Sequence, residues 1–79
     1  MSVTVRLGSL KKGESGTIVS VEGTEIISRR LLEMGLLEGA QVDVLHESPF
    51  GKDPFAVRVR GALIALRRSD ANLIEVKIK

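Results

Sequence analysis

The chain has a single histidine, His46, and Glu47 and Asp53 could join it across the loop that follows to share a metal ion. One imidazole with two carboxylates suits a divalent transition metal, so His46, Glu47 and Asp53 form the candidate ligand set. A structural role competes with it. In the alternating run "QVDVLHE", His46 is in phase with Val42 and Val44, which points it toward a barrel interior or rim. The structural role is the preferred reading, and no cofactor is expected. With no cysteine in the chain, disulfides and thiolate metal sites are excluded. No serine stands in a G-x-S-x-G context that would expose a nucleophile. Gly13, Gly16 and Gly23 lack the spacing of a phosphate-binding loop, and strand-like sequence follows them where a helix is required. No constellation supports catalysis, so the chain is not expected to be an enzyme.

Arg58, Arg60, Arg67 and Arg68 gather around one hairpin-like segment. Such charges usually coat a solvated strand face, and that reading is preferred to a docking patch for an acidic partner. The net charge is only +2, from 12 basic and 10 acidic residues, although the pI is about 9.4. The only aromatic residues are Phe50 and Phe55. A nucleic-acid binder normally combines a lopsided basic face with aromatic platforms, so no nucleic-acid partner is expected. The opening "MSVTVRLGSL" lacks the basic and apolar regions of a signal peptide. The longest apolar run, "ALIAL" from Ala62 to Leu66, is far short of the ~20 residues that cross a bilayer. A soluble cytoplasmic protein without membrane insertion follows as the expectation.

The elements that position these residues read as follows. The 79 residues suit a single domain, 1–79, with a thin core. Gly13 and Gly16 bracket a turn, and "GTIVSVEG" is a β-rich run ended by Gly23. "TEIISRRLLEM" predicts a helix over about residues 25–34, with Thr24 as N-cap. Ile27, Leu31 and Met34 form its apolar stripe, widened by Leu32, and Arg29, Arg30 and Glu33 lie on the other face. Gly35 stands where a Schellman cap needs positive φ, with Leu36 turned back onto Leu31. "QVDVLHE" and "FAVRVR" alternate as strands around the loop "SPFGKDP". A two-residue turn at Arg60–Gly61 pairs Val59 with Ala62, Val57 with Ile64 and Phe55 with Leu66. "SDAN" is a short turn or a single 3₁₀ turn, and "LIEVKIK" is a last strand with Ile74, Val76 and Ile78 inward. Five strands and one inserted helix result. They predict a mainly β fold, a small SH3-like barrel of five to six strands capped by the helix.

The spacing of these residues resembles the FeoA family. The opening Gly13, Gly16, Ile18, Val21 and Gly23 matches first. The helix-to-strand passage follows with Arg30, Leu32, Met34, Gly35, Gly39, Val42 and Val44. The close runs through Gly51, Pro54, Val57, Val59, Gly61, Ile64, Ala65, Leu66, Arg67, Asp70, Ala71, Ile74 and Val76. Lys52, between Gly51 and Asp53, makes this loop one residue longer than the family pattern. The resemblance implies an SH3-like barrel without catalytic residues. It further implies a cytoplasmic accessory that works with a membrane ferrous iron transporter carrying a GTP-binding domain. The same domain type also ends iron-dependent repressors. No helix-turn-helix precedes the barrel here, which favours the transport accessory.

The expected partner-binding residues are Arg29, Arg30, Glu33 and Leu37 on the helix side, with Arg58 and Leu63 on the hairpin side. Leu37 is expected to face water, Leu45 is out of phase with its strand, and Leu63 lies outward with Ala56 and Ala65. The alternative function is a metal-sensing or metal-carrying domain built on His46. A homo-oligomer paired through an exposed last strand, "IEVKIK", is a further possibility that Lys77 and Lys79 discourage.

Overall fold

Alternating aliphatic residues place six strands in one antiparallel sheet: β1 (Val3–Arg6), β2 (Ser15–Val21), β3 (Gln41–His46), β4 (Phe55–Val59), β5 (Ala62–Leu66) and β6 (Ile74–Ile78). Helix α1 (Glu25–Glu33) joins β2 to β3, and a one-turn helix α2 (Arg68–Ala71) joins β5 to β6. The computed structural model describes residues 3–47 and 54–78. The loop around Lys52 and Asp53 lies outside the described residues. The strand order is β1-β6-β2-β3-β4-β5, and the sheet curls about one core as an SH3-like barrel. Phe55 is the largest of the fully buried side chains, and every buried residue of that core is apolar.

Two local signals act as expected. The Thr24 hydroxyl accepts the Ile27 N–H at 3.2 Å and caps α1. At the other end the Leu36 N–H reaches the Leu31 carbonyl at 3.1 Å, and the Gly35 N–H reaches Leu32 at 2.9 Å. These are the two bonds of a Schellman cap, with Gly35 at φ 99°. Leu36 is buried like Leu31. The β4–β5 register is Phe55↔Leu66, Val57↔Ile64 and Val59↔Ala62, as the spacing predicts. Arg60 and Gly61 between them both have positive φ, 53° and 84°, the requirement of a type I′ turn.

Several expectations are corrected. The count of five strands misses β1. Its four residues are too short to assert a period, and they are held in place by pairing with β6, Val5 opposite Val76. That pairing puts β6 inside the sheet, so the last strand is not an exposed edge; β1 and β5 are the edges. Gly16 does not bracket the turn but lies buried in β2. Leu32 does not widen the buried stripe: it is 51% exposed, and Leu31 is the one helix residue fully covered. The single turn marked by "SDAN" is one turn of α-helix that starts a residue earlier, Arg68–Ala71.

His46 is corrected as well. The β3–β4 register runs Val44↔Val57 and then His46↔Ala56, so Leu45 is an extra residue in a bulge. A bulge moves each later side chain to the other face. His46 therefore leaves the inward set of Val42 and Val44 and is exposed. A second bulge, between Ile18↔Val76 and Ser20↔Glu75, lets Ile18 and Val21 both face the core.

Gly16 offers a test of this packing. A Cβ there would meet the Lys77 carbonyl at 3.0 Å and Val76 Cβ at 3.2 Å. Gly16→Ala is expected to destabilise the barrel by about 1–3 kcal/mol through overpacking. Urea denaturation checks this as a lowered midpoint at unchanged slope.

Candidate functional site

With Leu31 turned into the core, α1 presents Ile26, Arg29, Arg30 and Glu33 outward, at the i, i+3, i+4, i+7 spacing of one helix face. Together with Glu25 they line a shallow pocket of about 370 Å³. Ile26 is 81% exposed. Arg29 pairs with Glu25 at 3.1 Å, and Arg30 reaches Asp70 of α2 at 3.5 Å. Both arginines are more than half exposed, so the pairs order the face more than they stabilise it. On the next flank of α1, Leu32 and Arg29 share a larger depression of about 480 Å³ with Val21, Ser28, Leu36 and Glu38.

On the sheet side Arg58 stands between Asp43 on β3 and Leu63 on β5. Leu63 is 72% exposed, and Ala65, also exposed, lies opposite Ala56. Leu37 is half-buried rather than turned to water, and it lines a separate depression with Ala40 and Arg60. The structure thus brings Arg29, Arg30 and Glu33 together, and separately Arg58 and Leu63. Leu37 joins Arg60 at the hairpin turn instead of the helix pocket.

The basic cluster divides. Arg58, Arg60 and Arg67 are exposed, but Arg68 is not a surface charge. Its guanidinium donates to the Gly8 carbonyl, lies 3.4 Å from the Glu47 carboxylate and sits 5.0 Å from the Phe55 ring centre. The Leu45 bulge is what carries Glu47 to this side. Of the candidate metal set, His46 is exposed, Glu47 is engaged by Arg68, and Asp53 lies outside the described residues. No three His, Asp or Glu side chains among the described residues come together as a metal cluster.

Comparison with known proteins follows from this geometry. The FeoA domain model matches residues 5–78. The chain belongs to the FeoA family. A Porphyromonas gingivalis protein, a fusion of Fe(2+) transport protein A with the Fe(2+) transporter FeoB, is 38% identical over 74 residues. That match takes in 94% of this chain and 9% of the fusion, so the chain spans under a tenth of that relative's length. A crystal structure of an iron uptake regulatory FeoA protein superposes with a TM-score of 0.87 at 28% identity, over 96% of this chain and 100% of that one. The FeoA of Stenotrophomonas maltophilia, an SH3 domain protein solved with zinc, gives 0.77 at 29% identity, over 100% of this chain and 96% of that one.

Within this FeoA barrel, sequence reasoning passed over Ile26, Leu32 and the Arg68 anchor. Leu32 was hidden by the habit of assigning helix aliphatics to the core, and Ile26 was assigned to neither face. A nine-residue helix lying on a small barrel covers only a narrow stripe. Arg68 gave no signal: it follows Arg67 at the start of α2, and only the fold brings it to Phe55. Its role predicts unequal losses. Arg68→Ala is expected to cost about 2 kcal/mol, since it removes a charged hydrogen bond and a cation–π contact. Glu47→Gln should cost less than ~1 kcal/mol, as a partly exposed ion pair does. Equal shifts in thermal or urea unfolding would reduce Arg68 to its ion pair alone.

Proposed function

We propose that this FeoA-family chain is an accessory protein of bacterial ferrous iron uptake that binds the cytoplasmic GTP-binding domain of a membrane iron transporter. The observation that carries this reading is the Porphyromonas gingivalis fusion, in which a segment 38% identical to this chain is joined to an Fe(2+) transporter. Covalent joining holds two modules at a high effective concentration. It preserves function only where the modules tolerate or require each other's contact. No helix among the described residues is long and apolar enough to cross a membrane.

Its action is regulatory and non-catalytic. By binding one conformation of the GTP-binding domain better than another, the chain shifts that domain's population and so tunes transport. The helix face supplies an exposed Ile26 ringed by Arg29, Arg30 and Glu33, an apolar centre with a charged rim. Arg58 and Leu63 add a second contact from the sheet.

A second reading, a metal-sensing or metal-carrying domain, is favoured by the zinc in the Stenotrophomonas maltophilia structure and would use the exposed His46. His46→Ala separates the two readings: metal affinity falls in the second and is unmoved in the first.

Titrating the labelled chain with the transporter's soluble GTP-binding domain, loaded with GDP or a non-hydrolysable GTP analogue, tests the proposal. Saturable binding with a nucleotide preference is expected. Ile26→Ser should weaken it about tenfold, equivalent to ~1.4 kcal/mol. Absence of binding at high concentration with both nucleotides would overturn it.

A further inference from the structure

The two edges of the sheet are unlike. β1 ends in Arg6, whose guanidinium is paired with Glu22 at 2.9 Å. β5 is five consecutive apolar residues, "ALIAL", with no charge, proline or bulge. Natural sheets guard an open edge with such devices, because its unpaired N–H and C=O groups are a template for another strand. The register identifies the groups concerned. A two-residue type I′ turn closes on the hydrogen-bonded pair Val59↔Ala62, so Val57↔Ile64 is the next such pair and the peptide groups of Leu63 and Ala65 point away from β4. No backbone bond from another element reaches those groups among the described residues. The core is also thinnest here: Ile64 and Leu66 are 8% and 5% exposed, the highest values in the buried set.

We propose that β5 is a docking edge that accepts an extended segment of another protein as an added antiparallel or parallel strand, apolar at its centre and acidic at its flanks. The charges select this occupant. Arg60 and Arg67 stand at the two ends of β5 and Arg58 lies beside Leu63, all exposed. None of the three has an ion pair among the described residues. Acidic flanks on the incoming strand would meet them, while its backbone bonds to Leu63 and Ala65 and its side chains cover Leu63 and the rim of Ile64 and Leu66. A second copy is the wrong occupant. Two β5 edges would set Arg60 against Arg67 if antiparallel, or against Arg60 if parallel, and like charges facing across strands repel. β1 of a second copy would bring Arg6 and no acidic residue. A groove of about 510 Å³ adjoins the end of the edge, where Ile27 of α1, its cap residue Met34 and Leu66 of β5 meet the polar Arg30, Arg67 and Asp70. The inference rests on the reading of this chain as a protein-docking module and not on the transporter as the particular partner.

The test uses the full isotope-labelled chain with ten-residue synthetic peptides of alternating valine and threonine, flanked by aspartate and glutamate or by lysine. The acidic-flanked peptide is expected to shift the Leu63 and Ala65 amides and slow their exchange, leaving β1 unmoved. The lysine-flanked peptide should bind at least tenfold more weakly. N-methylation of one alternate set of peptide amides should abolish binding and that of the other set should spare it. Leu63→Lys, at a position exposed enough to leave the fold intact, should weaken binding at least tenfold at an unchanged unfolding midpoint. No peptide effect at β5, or equal binding of both flanks, overturns the proposal. So does a dimer in sedimentation that Leu63→Lys dissolves, since the occupant is then a second copy. The transporter's GTP-binding domain is titrated in parallel. Bound with its shifts confined to α1, it overturns the edge and leaves the docking function standing. Unbound, while the acidic peptide pairs with β5, it removes the transporter reading and supports the edge.

Discussion

A sheet of six short strands can bury one face only by curling back on itself, and this chain takes the curl at two bulges. The extra residue in β2 lets Ile18 and Val21, three apart in sequence, both reach the core. The extra residue in β3 turns His46 out to solvent. It also delivers Glu47 to Arg68, whose guanidinium then ties the Gly8 carbonyl and the Phe55 ring to the same point. One backbone irregularity thus removes the only imidazole from the interior and builds the anchor that closes that end of the barrel. Without the bend, the inner face of β4 and β5 would have nothing to close against, and Phe55 could not be fully covered.

The helix answers a different need. A barrel this small leaves one end open, and α1 covers it with Leu31 and the capped Leu36, both fully buried. Because the cover is narrow, the rest of the helix is surplus to stability. That surplus is where Ile26, Leu32 and the two arginines sit. Partner binding can be changed on this face with little effect on the fold, because the residues that hold the helix down are not those it displays.

What the sequence made legible follows from how local each signal is. The Schellman cap needs only Leu31, Gly35 and Leu36, and the β4–β5 register needs only a two-residue turn between alternating runs; both were readable. The mainly β barrel with one inserted helix followed from those pieces. Bulges were not readable, because an inserted residue is silent in a pattern assumed to repeat every two positions, and His46 was misplaced for that reason alone. β1 was missed because Val3–Arg6 acquires its strand from β6, more than sixty residues away in sequence. Of the candidate surface, the helix charges and Arg58 with Leu63 were legible as outward residues. Ile26 was legible by the same helical period, in phase with Arg29, Arg30 and Glu33, but was assigned to neither face.

The near-neutral composition conceals how the charges are spent. Arg6, Arg29, Arg30 and Arg68 each face a carboxylate, in Glu22, Glu25, Asp70 and Glu47. Those four pairs cancel; Arg29–Glu25 lies within α1, and the other three tie elements together: β1 to the end of β2, α1 to α2, and α2 to the end of β3. Arg58, Arg60 and Arg67, which have no ion pair among the described residues, all border the β4–β5 hairpin. A net charge of +2 would steer almost nothing if spread evenly, but within a Debye length of one apolar edge these three guanidinium groups make a local positive field. The chain's electrostatic preference for a partner is therefore set by which arginines the fold leaves unused, and its total charge says little about it.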